Sequence, residues 1–499
     1  MLTSPSKSYK AISLFASLVL LLACYAPGGA AAPLPQDDHA AKTAALTTTD
    51  KDQTEIAVTV YNSNIALVRD VRQIRLAQGI FPLQFEDVAA AINPATVHFR
   101  SLTDDTKLSV VEQNYEYDLL DPQKLLQKYV GKEVTLVRAE KDAGSTKWVE
   151  TKATLLANNN GPVWKIGNEI VTGMNSDSYR FPELPGNFYS RPTLIWTLDN
   201  RGAPAQKVEA SYLTGNMSWN ADYVLTVARD EKSADLDGWV TLNNNSGAAY
   251  QNAKLQLVAG EIHQVSPPRP TANEFSRLEM GAAAKAAPQF TQEGISEYHL
   301  YSLGRRTSIQ NNESKQISLL TGTGVPVEKR LVTEGQPYYY RNPQGVGNAM
   351  PQPVKVLYQF KNEEKGGLGM PLPAGTVRVY LSDSKGGIQF IGEDNIQHTP
   401  KDETLKVYVG DAFDVVCERK QTDYKKLASN LYELEFEITL RNHKDSPLTV
   451  EVREPVGGDW EIVNSNFTPE KLDARSVGFQ VPVAKDGTSK LTYRIRVKW

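Results

Sequence analysis

Thiols are almost missing from this chain of 499 residues, which has only Cys24 and Cys417. With Cys24 consumed in or removed with a leader, Cys417 stands alone, so no intramolecular disulfide staples the mature protein and burial must hold its domains. Histidine is scarce as well, with six in the chain to serve as bases or metal ligands. No Gly-x-Ser-x-Gly elbow occurs, and no Gly-x-x-x-x-Gly-Lys loop; Gly322-Thr-Gly324 and Gly345-Val-Gly347 are hairpin or linker glycines. Lys and Arg are dispersed and the formal charge is −4. That leaves no basic face or tract for nucleic acid. Nor does any apolar run approach the roughly 20 residues of a membrane-crossing helix. No motif therefore names a reaction.

The longest apolar run is informative because it is short. Lys7 and Lys10 precede Ala11–Ala23, the arrangement of a secretory signal. Leu21-Leu22-Ala23-Cys24 resembles the bacterial lipobox, in which the cysteine becomes the lipidated first residue. Tyr25 follows, rather than the aspartate that retains many lipoproteins at an inner membrane. The competing exit is cleavage among the small residues Gly28 to Ala32, where Pro33 is a poor residue after the cut. Either exit sends the chain to the periplasm, outer membrane or cell surface, the first of them anchored through Cys24.

At about 100–200 residues per domain the chain makes two to four. Residues 25–53, rich in Ala, Thr, Pro and Asp, read as a flexible tether. Period-two alternation begins at Glu55, with Ile56, Val58 and Val60 on one face. One helix is expected, capped by Asp121, begun by Pro122 and ended by Gly131. It opens a small barrel-like insertion at about 117–175 within an N-terminal β domain, 54–193. A middle β domain, 194–341, carries a long loop at about 266–291, and a C-terminal β-sandwich follows over 354–499. In that last part Tyr432, Leu434, Phe436, Ile438 and Leu440 alternate with charged or hydroxyl residues, as do Leu491, Tyr493, Ile495, Val497 and Trp499. The fold class expected is all-β, multi-domain and sandwich-like, with very little helix.

The final strand has a rival reading, since a terminal aromatic after alternating apolar residues resembles the signal of an outer-membrane β-barrel. Cys417 lies in the strand-like run Phe413–Cys417, where a buried inert thiol is expected.

Several stretches together resemble the bacterial domain of unknown function 4139. They are Tyr298-His-Leu-Tyr-Ser-Leu-Gly-Arg-Arg-Thr307, Asn312-Glu-Ser-Lys-Gln316, Gly392-Glu-Asp394 with His398-Thr-Pro400, and Gly410-Asp-Ala-Phe-Asp414, within a match over about 194–499. Members of this family are mostly exported. The resemblance implies class and location and supplies no catalytic residues.

Three constellations are candidate sites. Glu393, Asp394, His398, Asp402 and Glu403 could hold a divalent cation or move protons, or else cap a strand-connecting loop around Pro400. His299 with Arg305 and Arg306 could contact an anion or other ligand, or else lie at a strand edge and a solvated turn. Tyr338-Tyr-Tyr340 beside Arg341 could stack a ring, or else close a sheet.

The reading favoured is an exported envelope protein that binds or assembles, with no cofactor, and with an envelope protein or cell-surface component as partner. A hydrolase or metal-dependent enzyme centred on 393–403 is the alternative, and the outer-membrane barrel the second.

Overall fold

Strands with one dry and one wet face make up nearly all of the computed structural model, which describes residues 45–116, 122–142, 145–174, 176–183, 191–260, 262–263 and 289–499. Cys24, the leader, Asp121 and nearly all of the expected 266–291 loop lie outside the described residues. The chain is mostly β, in several mixed and antiparallel sheets without a closed barrel among the described residues.

The tether expected over 25–53 gives way to structure before its end. Leu46–Thr48 pairs in parallel with Gly79–Glu86, and Thr49 caps the short 3-10 turn Asp50–Asp52. Thr48 is buried, so burial and a capping box outweigh the polar composition.

Two sheets supply the N-terminal side of the first core. A four-stranded sheet runs Leu46–Thr48, Gly79–Glu86, Thr193–Asn200, Leu108–Glu116. An eight-stranded sheet has Gln53–Tyr61 and Ile65–Arg75 at its centre, with Tyr250–Ala259 on one side and Ala205–Gly215 on the other. Trp196 of the first sheet meets Phe85 at 5.5 Å and Phe99 at 4.4 Å between ring centroids. Contacts at this range fix aromatic orientation as well as burying area.

The first and second cores share a spine. Glu313–Glu334 is a 22-residue strand that pairs with Ser233–Asn244 at its start and with Leu448–Pro455 at its end. Its Ile317, Leu319 and Val325 belong to the first core, and Leu331 to the second. Tyr358, Phe360, Val377, Val379, Leu405 and Val407 also pack into the first core, although they follow residue 354. The strand Gly375–Ser382 explains this, because it pairs in parallel with Met217–Val227.

The second core lies between the Leu448–Pro455 and Ser476–Val483 strands and a five-stranded sheet built on Val415–Ala428, Leu431–Asn442 and Thr488–Lys498. Leu491, Tyr493, Ile495 and Val497 are buried in it. The opposite face carries ion pairs, Arg494 with Asp423, Glu433 and Glu435, and Arg496 with Glu433 and Glu461. The alternation that resembled a lipid-facing strand is thus used for a protein core on one side and a charged surface on the other.

The insertion is an open sheet of five strands, in the order Glu169–Thr172, Val163–Ile166, Ser145–Ala157, Glu133–Asp142, Ser178–Arg180. The helix Pro122–Lys128 packs Leu126 over it beside Tyr129, Val134 and Trp164. Gly131 follows in the left-handed region, at φ +86°, as a stop position favours. Tyr338-Tyr-Tyr340 forms neither a closing strand nor a platform. Pro337 starts a 3-10 turn, Tyr339 and Tyr340 are buried, and Tyr338 alone is exposed.

Candidate functional site

The polar residues singled out around 393–403 are held one by one in the framework. Glu393 pairs with Arg378 at 3.4 Å, and Asp394 accepts from the backbone N–H of Tyr408 and of Asn395, each at 2.8 Å. His398 accepts at Nδ1 from the Ala374 N–H at 3.1 Å. The backbone N–H of Asp402, at φ +68°, donates to the Asn362 carbonyl, and the Asn362 N–H donates to the Glu403 carbonyl. Asn362, fully buried, ties the turn together through Met370, Pro400 and Gly369. No group of three or more His, Cys, Asp or Glu among the described residues is arranged to hold a metal ion.

His299, Arg305 and Arg306 are also dispersed. His299 Nδ1 hydrogen-bonds Gln292 at 2.8 Å, Arg305 donates to Gln289 at 3.0 Å, and Arg306 donates to the Asn252 carbonyl at 3.1 Å. Each contact ties one strand or turn to the next. Cys417 is a free, buried thiol, and burial pushes its pKa up, which keeps it protonated.

Two pairs of interior charges were not singled out from the sequence, and each is marked by a charged residue at an inward position of an otherwise apolar alternation. Ile65–Arg75 places Ala66, Val68 and Ile74 inward, and Asp70 and Arg72 occupy the same inward register. Arg72 is fully buried and donates through Nε and Nη2 to Asp70 Oδ2 at 3.1 and 2.9 Å, and through Nη2 to the Glu86 carbonyl at 2.7 Å. Its guanidinium carbon lies 3.5 Å from the Phe85 ring centroid, a cation–π contact strengthened by exclusion of water. Asp70 is 2% exposed, and its second oxygen, Oδ1, has no hydrogen-bond partner in the protein. Burial raises the pKa of Asp70, and Arg72 together with the Gln53 side chain, which lies within reach of the carboxyl, opposes that shift.

Asp70 lies on the wall of a cleft of about 620 Å³. Other walls come from Asp50, Gln53, Asp87, Arg191, Tyr212 and Tyr250, with Ile56, Val88 and Ala90 as apolar lining. Asp87 is in the left-handed region at φ +65°; it pairs with Arg191 and accepts from the Asp50 N–H at 3.2 Å. The Tyr212 hydroxyl accepts from the Ala89 N–H at 3.4 Å. Ser246 Oγ gives its hydrogen to Asn244 Oδ1 at 2.7 Å, so Tyr250 must be the donor in its 3.0 Å bond to Ser246. Burial drives both phenols upward, Tyr212 well above the usual value and Tyr250 up to about 12, so both are protonated near neutrality.

Gly247 allows the far wall to close. At φ +85° it sits where an added Cβ would be 2.4 Å from Ala90 Cβ, and the Ala91 N–H donates to the Ser246 carbonyl at 2.9 Å.

The second interior pair makes a closed circuit. Arg419 and Glu454 are fully buried, with Arg419 Nη2 2.5 Å from Glu454 Oε1. Tyr340 donates to Glu454 Oε2 at 2.6 Å, which leaves Tyr493 as the donor in the 3.0 Å bond between the two phenols. Arg419 Nη1 reaches the Tyr493 hydroxyl at 3.5 Å and completes the ring.

With this geometry in place, comparison with known proteins separates two parts of the chain. The model of the domain of unknown function DUF4139 matches residues 208–499, more than half of the sequence. The chain belongs to this family. No curated protein matches the chain. The DUF4139 region contains the Arg419–Glu454 circuit whole. It gives the cleft Tyr212 and 247–251, whereas Asp50, Asp70, Asp87 and Arg191 precede the match. The cleft is therefore built where the family domain meets the N-terminal strands.

Proposed function

We propose that this protein is an exported component of the cell envelope, anchored through a lipid on Cys24, that works by binding an envelope protein or cell-surface component in the cleft at Asp70. The leader features of 1–24 support the address. One observation carries the binding reading: a residue lining a cleft large enough for a ligand has a buried carboxylate whose Oδ1 lacks a hydrogen-bond partner. Two protonated phenols and an Asp87–Arg191 pair on the walls of the cleft present fixed hydrogen-bonding positions, beside Asp50, Gln53 and Gln251. The ring around Arg419 touches nothing outside its own core and fits a structural role.

The address is tested by metabolic labelling with a radioactive fatty acid, followed by fractionation. Label in the envelope fraction, lost in Cys24→Ser, is expected; an unlabelled protein in the cytosol would sink it. Binding is tested with a photo-crosslinking residue at Gln251, on the cleft rim. The expected result is a discrete adduct in native cells that disappears when Gly247→Ala distorts the wall. A chain that gives no adduct, or the same adduct with Gly247→Ala, refutes the cleft as the binding site.

A further inference from the structure

Resting on that reading of the cleft, we infer that the group it receives is a primary ammonium on a short apolar stem. The charge of the lining points this way first. Among the lining residues, Asp87 is paired with Arg191 and Asp70 with Arg72 behind the wall, so the third carboxylate, Asp50, leaves the cleft with a net negative charge. Hydrogen-bond accounting points the same way. Asp70 Oδ1 has an open lone pair, and the Tyr250 oxygen, having donated to Ser246, is left with acceptor capacity. An ammonium brings three donors and no acceptor, which suits such a wall.

The remainder of the lining fits a stem. Ile56, Val88, Ala90, Ala248 and Ala249 offer small apolar surface beside the acceptors, and about 620 Å³ holds a chain of a few methylenes with its head group. Gln53, on the same wall and near the Asp70 carboxyl, is the side chain that must turn aside for the head group to reach Oδ1. A carboxylate or phosphate ligand would instead meet a wall of net negative charge whose two arginines are already paired, an arrangement that costs affinity for an anion.

The chemistry is shared by a free small amine and by a lysine side chain carried on a partner, and the test separates them. Methyl-labelled mature protein is titrated with n-butylammonium, n-butanol, butyrate and Nα-acetyl-lysine methylamide, with the methyls of Ile56, Val88, Ala90 and Ala248 as reporters. Both ammonium probes should shift these methyls, and butanol should bind about tenfold more weakly or worse, the loss expected for one charge-assisted hydrogen bond. Tighter binding of the lysine surrogate identifies a partner side chain as the source, and tighter binding of butylammonium a free amine.

Asp70→Asn should abolish the preference for ammonium over butanol. Because that variant leaves Arg72 buried without its counter-ion, the double variant Asp70→Asn/Arg72→Met is the second arm. It removes both charges and should show the same loss with the methyl spectrum otherwise intact. Butanol or butyrate binding as well as butylammonium overturns the ammonium assignment. If no probe shifts the cleft methyls while the Gln251 crosslinker still captures an adduct, the assignment fails and the cleft survives; silence in both experiments removes the binding reading itself.

Discussion

Changing Glu454 to Gln keeps the shape of the second core and removes one charge, so its effect isolates what the buried pair does. Arg419 is fully buried, and its Nε already has no hydrogen-bond partner. In Glu454→Gln the charge and hydrogen bond that raise the Arg419 pKa are gone and burial alone acts to lower it, but a guanidinium starts so far above neutrality that it stays ionised without its counter-charge. A single buried charge left uncompensated costs about 3–5 kcal/mol. A large part of the roughly 5–15 kcal/mol that holds a domain together is thereby lost. The double change Arg419→Met/Glu454→Gln removes both charges and should recover most of it, to within about 1–2 kcal/mol of the native chain. With Glu454 present the Arg419 pKa is raised on balance, so the pair's contribution is complete throughout the range where a free guanidinium is ionised and is lost only above it, and the deficit should be flat across neutral pH. Native-state hydrogen exchange of the amides in Val415–Ala428 and Leu448–Pro455 reads this core directly. A single variant that loses less than about 1 kcal/mol of protection, or a double variant no better than the single, would refute the argument.

Three further outcomes follow from named contacts. Gly335→Ala places a Cβ 2.1 Å from Glu454 Oε2, so urea unfolding should show a loss of about 1–3 kcal/mol from overpacking against the buried carboxylate. On the outer face, Arg496 and Arg494 hold the Glu433 carboxyl below 4.5, Lys425 and Arg494 hold Asp423 below 3.8, and Arg441 holds Glu418 below 4.5. Lowered values give stability that is complete above the unfolded pKa and lost as pH falls through the folded one. Melting should therefore be insensitive to these carboxylates near pH ~6 and weaken toward pH ~3, with added salt narrowing the difference. Equal melting at both, with and without salt, would remove them as contributors. Finally, in a Cys24→Ser chain Cys417 is the one remaining thiol, and a thiol reagent should label it only at the rate of unfolding. Rapid labelling of the folded chain would contradict its burial.

Much of the fold was legible because period two is a direct consequence of strand geometry. Leu434, Phe436 and Ile438, or Leu491, Tyr493 and Ile495, can lie on one face only if the chain is extended, and they are buried. Which strands pair was not legible, since alternation carries no address. Gly375–Ser382 pairing in parallel with Met217–Val227, far earlier in the chain, follows from shape at the whole-domain level. The local signals that failed were those where tertiary burial decides. Thr48 and Thr49 sit in a polar stretch yet form a strand end and a cap, and Tyr338-Tyr-Tyr340 reads as a strand until Pro337 turns it. For the site, polar density drew attention to 393–403, but Glu393 and Asp394 belong to the strand Ile388–Ile396 and only the later residues lie in the connecting turn, so the cluster is split between a strand and a turn. The stronger signal was a charge in the inward register: Asp70 and Arg72 after Val68, Arg419 after Cys417, and Glu454 after Val452.

The two interior pairs obey the same electrostatics and differ in their surroundings. An ion pair taken from water needs its remaining lone pairs and protons met by neighbours, or its desolvation is left partly uncompensated. Around Arg419 and Glu454, Arg419 donates to one carboxylate oxygen and Tyr340 to the other, Tyr493 links Tyr340 back to Arg419, and the ring closes within one core with Arg419 Nε alone left unpartnered. Around Asp70 and Arg72 no such ring forms: Oδ1 of the acid and Nη1 of the base both lack partners, and the acid faces a cleft where two parts of the chain meet. A structural pair gains nothing from an open lone pair beside a cleft, because a hydroxyl from the adjacent Tyr212 strand could have met it at less cost than continued desolvation. A ligand or water from outside the chain would complete the first pair, and that incompleteness is the physical basis of the binding proposed at Asp70.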